Sequence, residues 1–215
     1  MGAKTWMLVY ADGSARSALA AHPVLDRVAT AQLATRLFPG ERLEEREDGD
    51  LSNTCPPNDE ILIGCFTGVS VIAAKEFSID KPSKLPERFI KAGGNGIVQL
   101  HAMHSAVDWF AYAQWKDGNL QRSLSLSPDN GVVEDVGKRM AFEEPYWAGA
   151  HPAIDKDEDP SGYPFPFHPL DLGEAALSNL FGYQLEGSID GTLLEPDAIP
   201  LMRYKRIRSW WKFLK

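Results

Sequence analysis

Residues 109–136 read WFAYAQWKDGNLQRSLSLSPDNGVVEDV, and their alternation decides the architecture. Successive side chains of a strand point to opposite faces. Trp109, Ala111, Ala113 and Trp115 therefore share one face, and Phe110, Tyr112 and Gln114 the other. Lys116-Asp117-Gly118-Asn119 carries the Asp-Gly pair of a tight hairpin. The chain returns over 120–127, where Leu120, Leu124 and Leu126 alternate with polar residues and Arg122 is assigned to the polar face with the serines. Pro128-Asp129-Asn130-Gly131 forms the next turn, and 132–136 a further strand. An antiparallel meander of this kind packs one face on a core and leaves the other half wet.

The reading extends in both directions. Upstream, 97–103 is a strand, and Gly93-Gly94-Asn95-Gly96 ends a short helix predicted over 82–92. Residues 60–66 and 69–79 pair around Thr67-Gly68, and 41–59 form an acidic loop with one edge strand at most. Residues 4–11 are a buried first strand. Ser14 caps a helix over 15–21, and Pro23 restarts the helix with Leu25, Val28, Ala29, Leu33 and Leu37 as its apolar face until Pro39-Gly40. Downstream, the prolines of 143–169 exclude helix and central strand. Asp171 and Glu174 have the spacing of an Asp-led capping box, which opens a helix that Gly182 ends. Helices fall towards the chain ends and strands towards the middle. The expected fold is α+β with a largely antiparallel central sheet: one globular domain over 1–200 and a basic aromatic tail over 201–215.

Composition sets outer bounds. The chain of 215 residues is 44% hydrophobic and 24% charged, an ordinary balance for a globular domain with a good core. Its apolar runs, 6–11 and 69–74, fall far short of the ~20 residues of a spanning helix. The N-terminal apolar stretch is closed by Asp12 too early for a signal peptide, and Cys55 and Cys65 lack metal-type spacing. These features predict a cytoplasmic protein with two reduced thiols. Charge is uneven. Residues 203–215 hold six basic residues and no acids, leaving 16 basic against 30 acidic residues in 1–202, a charge of −14.

The phrases MGAKTWMLVYADG, LHAMHSAVDWFAYAQW, SLSLSPDNGVVEDVG, EPYWAG and YPFPFHPLDLGEAALSNLFGYQLEG resemble an actinobacterial family of unknown function over most of 1–190. The resemblance implies a cytosolic protein and no particular chemistry, and it has no counterpart for the tail.

Two constellations are candidates for function. His101, His104 and Asp108 lie within eight residues, with the donor types of a metal site or of an acid–base pair, and His168 is a further candidate ligand. Spacing of three suits a helix, whereas a strand would point His101 and His104 to opposite faces. Hydrogen-bonded structural histidines are the bland alternative, and no cofactor is specified. The strand–turn–helix at Tyr10-Ala11-Asp12-Gly13-Ser14 could offer backbone N–H groups to a phosphate, with Asp12 opposing the anion. The tail is the more specific signal. On a helix Tyr204, Ile207, Trp210, Trp211 and Leu214 form an apolar stripe, with Arg203, Lys205, Arg206, Arg208, Lys212 and Lys215 mostly outside it. Such a segment suits an acidic protein partner, an anionic membrane surface, its own acidic body or a symmetry mate in a homo-oligomer. Nucleic acid ranks last because the body is acidic. The expected function is a non-catalytic binding or accessory subunit docking through the tail. The alternatives are a metal-assisted hydrolase or acid–base enzyme at His101, His104 and Asp108, and a peripheral membrane protein.

Overall fold

The computed structural model describes residues 2–153, 163–187 and 190–207. The elements are β1 (Lys4–Ala11), α1 (Ala15–Ala20), α2 (Arg27–Leu37), β2 (Arg42–Glu45), β3 (Gly49–Asp50), β4 (Glu60–Phe66), β5 (Val69–Ala73), α3 (Glu87–Ala92), β6 (Ile97–His104), β7 (Trp109–Lys116), β8 (Asn119–Ser127), β9 (Gly131–Gly137), α4 (Glu144–Trp147), α5 (Pro169–Phe181) and β10 (Pro200–Ile207). All ten strands join one sheet in the order β2-β10-β4-β5-β1-β6-β7-β8-β9, with β3 also on β10. Every pairing is antiparallel, so the fold is α+β.

The meander forms with its hairpin in register, Lys116 opposite Asn119. Trp109, Ala111, Ala113 and Trp115 join one apolar layer, and Phe110 and Tyr112 the other. Three expectations change. First, both faces of the sheet are packed. One layer runs from Met7 and Val71 to Leu124 under α1, α5 and Phe167, and the other from Leu8 and Ile72 to Trp115 under α2 and α3. Second, Gln121 is an extra residue, because Gln114 opposes Arg122 while Trp115 opposes Leu120. This bulge flips the strand by one residue. Leu120 packs on the α2/α3 side, whereas Leu124 and Leu126 pack on the α5 side. Third, Arg122 parts company with the serines. By strand alternation it points with Leu124 into the α5 layer, and Ser123, Ser125 and Ser127 are buried on the opposite face.

Helix boundaries shift for local reasons. The second helix starts at Arg27 because Asp26 is the cap, its carboxylate accepting from the Ala29 N–H at 2.9 Å. The same turn is pinned to β4: the Asp26 N–H donates to the Cys65 carbonyl, and the Cys65 N–H to the Thr30 hydroxyl. This anchoring buries Thr30, Leu33, Ala34 and Leu37 and leaves Val28 69% exposed, so the expected stripe is rotated. The helix expected over 82–92 is split by Pro86 into a 3₁₀ turn and α3. The strand expected over 69–79 ends at Ala73 and passes into a 3₁₀ turn at Lys75–Phe77. Helix α5 opens at Pro169 with His168 as its cap, not at Asp171, because proline is tolerated at the first helical position.

The largest correction concerns the C-terminus. Arg203, Tyr204, Arg206 and Ile207 belong to β10, which lies between β2 and β4. The globular body therefore runs through Ile207, past the boundary expected at 200. Met202, Tyr204 and Arg206 alternate with Arg203 and Lys205, and that period of two competes successfully with the helical stripe. Among the described residues no helix is long and apolar enough to cross a membrane.

Candidate functional site

His101 sits in β6, between β1 and β7, wholly buried. Its Nε2 lies 3.0 Å from the Gly173 carbonyl of α5, and its Nδ1 lies 2.7 Å from the Thr5 hydroxyl of β1. A carbonyl only accepts, so Nε2 carries the proton and Nδ1 accepts from Thr5. Burial holds its pKa down at about 4, against a smaller opposing effect of the Gly173 bond. The approach of α5 that makes this bond requires glycine. A Cβ on Gly173 would sit 2.8 Å from the Met103 sulfur and 3.2 Å from the Phe110 ring.

His104 ends the same strand three residues on, and strand alternation turns it to the face opposite His101. Its Nδ1 caps the turn at Ser105–Val107 by accepting from the Ala106 N–H at 3.2 Å. Partial burial and the nearby Lys4 and Lys75 lower its pKa. Asp108 closes that turn in the left-handed region at φ 45°, a conformation that Asp tolerates better than most residues. Its carboxylate comes within 3.7 Å of His168 Nε2. His168 spends its Nδ1 on the Leu170 N–H at the start of α5, and Tyr163 stacks near it with ring centroids 6.2 Å apart. The Tyr163 hydroxyl is buried without a hydrogen-bond partner. Burial, Asp108 and Asp171 together push its pKa up to about 12.

The structure thus brings Asp108 and His168 together and turns His101 and His104 apart. In all three imidazoles Nδ1 accepts a protein hydrogen bond, so the neutral ring carries its proton on Nε2 and offers no free lone pair. Their geometry serves to cap and to anchor. Among the described residues no group of three or more His, Cys, Asp or Glu is arranged to hold a metal ion. Cys55 and Cys65 are both free thiols.

Two of the three basic residues of β10, Lys205 and Arg206, face acids of the body, whereas the Nε of Arg203 is buried without a hydrogen-bond partner among the described residues. Lys205 reaches Asp59 at 2.5 Å. Arg206 bonds Glu41 at 2.7 Å, pairs with Glu76, and lies 4.9 Å from the Phe38 ring centroid. Tyr204 is buried, and the Arg203 carbonyl accepts from the Arg46 N–H. Arg208, Trp210, Trp211, Lys212 and Leu214 lie outside the described residues.

Periodicity does not reveal the buried ion pair at the α5 side of β8. Arg122 is 1% exposed and grips Glu143, itself 0% exposed, through Nε at 2.9 Å and Nη2 at 2.7 Å. Arg122 also pairs with Asp135 and donates to the Val136 carbonyl at 3.0 Å. Glu143 accepts further from the Tyr112 hydroxyl and the Met140 N–H. The available sequence signal is an arginine in phase with Leu124 and Leu126.

Residues 5–204 match the model of a family described as a family of unknown function, DUF6928. No curated protein and no solved structure matches the chain.

Proposed function

The chain belongs to that family of unknown function, and from its own residues we propose that it is a cytoplasmic, non-catalytic binding or accessory subunit. It docks to a larger protein partner through the residues that follow β10. The observation that carries this reading is the pairing within β10. Lys205 and Arg206 are matched by acids of the body, so the strand roots the C-terminus in the sheet. The sequence beyond it holds three basic residues, no acids and two tryptophans, while 1–207 carries 19 basic against 30 acidic residues. Aromatic residues with flanking cations suit an acidic partner surface with apolar pockets: Trp210 and Trp211 as anchors, Arg208 and Lys212 for electrostatic steering. The histidine geometry supports a binding role, since the three imidazoles that could serve acid–base or metal chemistry are engaged with the backbone and with Thr5.

The test compares affinity purification of the full chain with a truncation ending at Ile207. A stoichiometric protein captured by the full chain and lost on truncation supports the proposal. Equal capture by both forms overturns it. Salt-sensitive co-sedimentation of the full chain alone with anionic vesicles, without a protein partner, moves the same segment to a membrane surface.

A further inference from the structure

On the α2/α3 side of the sheet, where β1, β4 and β5 meet their connecting turns, a cavity of about 350 Å³ opens between the two helices. Its wall includes Tyr10, Leu33, Cys65 and Val69, all buried, and Asp12 and Arg36 belong to its exposed lining. Ser70 and the backbone of Gly68 and Gly93 add polar groups. The volume lies at the lower end of the range for small-molecule sites.

The two charged residues decide what the cavity suits. Arg36 stands in the last turn of α2 and Asp12 just past the end of β1. They line one cavity, yet among the described residues neither forms a salt bridge, with the other or with any third group. The Tyr10 hydroxyl in the same wall donates to the Phe89 carbonyl at 2.8 Å and feels the Arg36 charge. A simple anion would gain from Arg36 and lose to Asp12, and a simple cation the reverse. A molecule carrying both charges gains from each.

The phosphate reading of the same turn is weaker in the structure. Helix α1 has only six residues, and the Ser14 hydroxyl already takes the Ser17 N–H as its cap.

We propose that this cavity binds a small zwitterion of the α-amino acid class, its carboxylate on Arg36 and its ammonium on Asp12. The side chain lies against Leu33 and Tyr10 of the α2/α3 layer. This site is independent of the C-terminal docking segment, so either reading can fail alone.

The test uses the full chain and the twenty common L-amino acids as separate probes, followed by calorimetry or by NMR of the amide signals of Gly68 and Gly93. At least one amino acid binds, and its carboxamide and its deaminated acid each bind about tenfold more weakly or worse. Arg36→Ala and Asp12→Asn each weaken the amino acid by a similar factor. Both residues are exposed, so the variants keep the parent melting temperature. Arg36→Ala leaves the binding of the deaminated acid nowhere to anchor, whereas Asp12→Asn leaves it unchanged or tightens it. Absence of binding by all twenty probes at millimolar concentration overturns the proposal. So does binding that neither substitution weakens, or a deaminated acid that binds as well as the amino acid.

Discussion

Arg122 and Glu143 are 1% and 0% exposed, so loss of one leaves the other's charge buried. Breaking such a pair costs about 3–5 kcal/mol, because the survivor is a buried, uncompensated charge. Arg122→Met is expected to cost that much in urea unfolding, with an unchanged denaturant slope. Glu143→Gln costs less, since the amide oxygen still accepts from Tyr112 and Met140. The double variant Arg122→Met with Glu143→Leu regains part of the loss, since no charge of the pair stays buried although the Tyr112 hydroxyl and Met140 N–H lose their acceptor; a deficit equal to the sum of the Arg122→Met and Glu143→Leu single losses would contradict the account. Two other buried groups titrate in opposite senses. His101 has a folded pKa of about 4, below the ordinary 6.5, so the unfolded chain binds the extra proton and stability rises with pH between the two values. Glu174, 8% exposed on α5, is pushed up to about 7 from 4.5, chiefly by burial. Its carboxyl is protonated in the folded state first, so its contribution to stability is lost as pH rises from 4.5 to 7. Across pH 4.5–6.5 the two slopes oppose. His101→Gln should give a protein whose melting temperature falls with rising pH in that window, and Glu174→Gln one whose melting temperature rises. Identical profiles for both variants would refute the assignment.

Helix α5 and strand β10 show where local sequence suffices and where it fails. Gly173 looks like a poor helix residue, worth about 1 kcal/mol against alanine. Its close approach to Met103 and Phe110 reverses the sign. Gly173→Ala should destabilise by about 1–3 kcal/mol through overpacking, and a gain in stability would show that the helix can move away freely. For β10 the prediction is positional. A chain ending at Met202 loses the pairing of Tyr204 with both Ile61 and Glu45 and should be strongly destabilised. One ending at Ile207 should keep the full melting temperature. The first hairpin of the meander was legible because its turn is local, Asp117-Gly118 setting it whatever surrounds it, whereas the Gln121 bulge that flips β8 and carries Arg122 to the other face is not. The course of β10 was not legible, because six cations and two tryptophans in 203–215 dominate any window over that segment. What decides its fold is an open edge on β4 about 140 residues away. The candidate site was half legible. Strand alternation correctly separates His101 from His104, and the meeting of His168 with Asp108 depends on where a proline-rich loop delivers α5.

At the level of the molecule, a ten-stranded sheet is covered on both faces and carries its charge unevenly. Residues 1–207 keep an excess of acids even with Arg203, Lys205 and Arg206 counted in. Under the docking role proposed above, association with the partner should therefore slow steeply with added salt while dissociation changes little. Rate measurements at two ionic strengths separate these effects.

The order of strands in space also has a bearing on how the protein is made. The first strand in sequence lies near the middle of the sheet, and the last is inserted between two that were synthesised much earlier. A ribosome releasing this chain exposes Ile61 and Ile63 on β4 long before their partner emerges, so the nascent protein has an adhesive, half-built border until the residues of β10 appear. Stalled or prematurely terminated products are then not shorter versions of the same molecule. They are species with an unfilled slot, apt to capture a neighbour's strand and natural clients for chaperones.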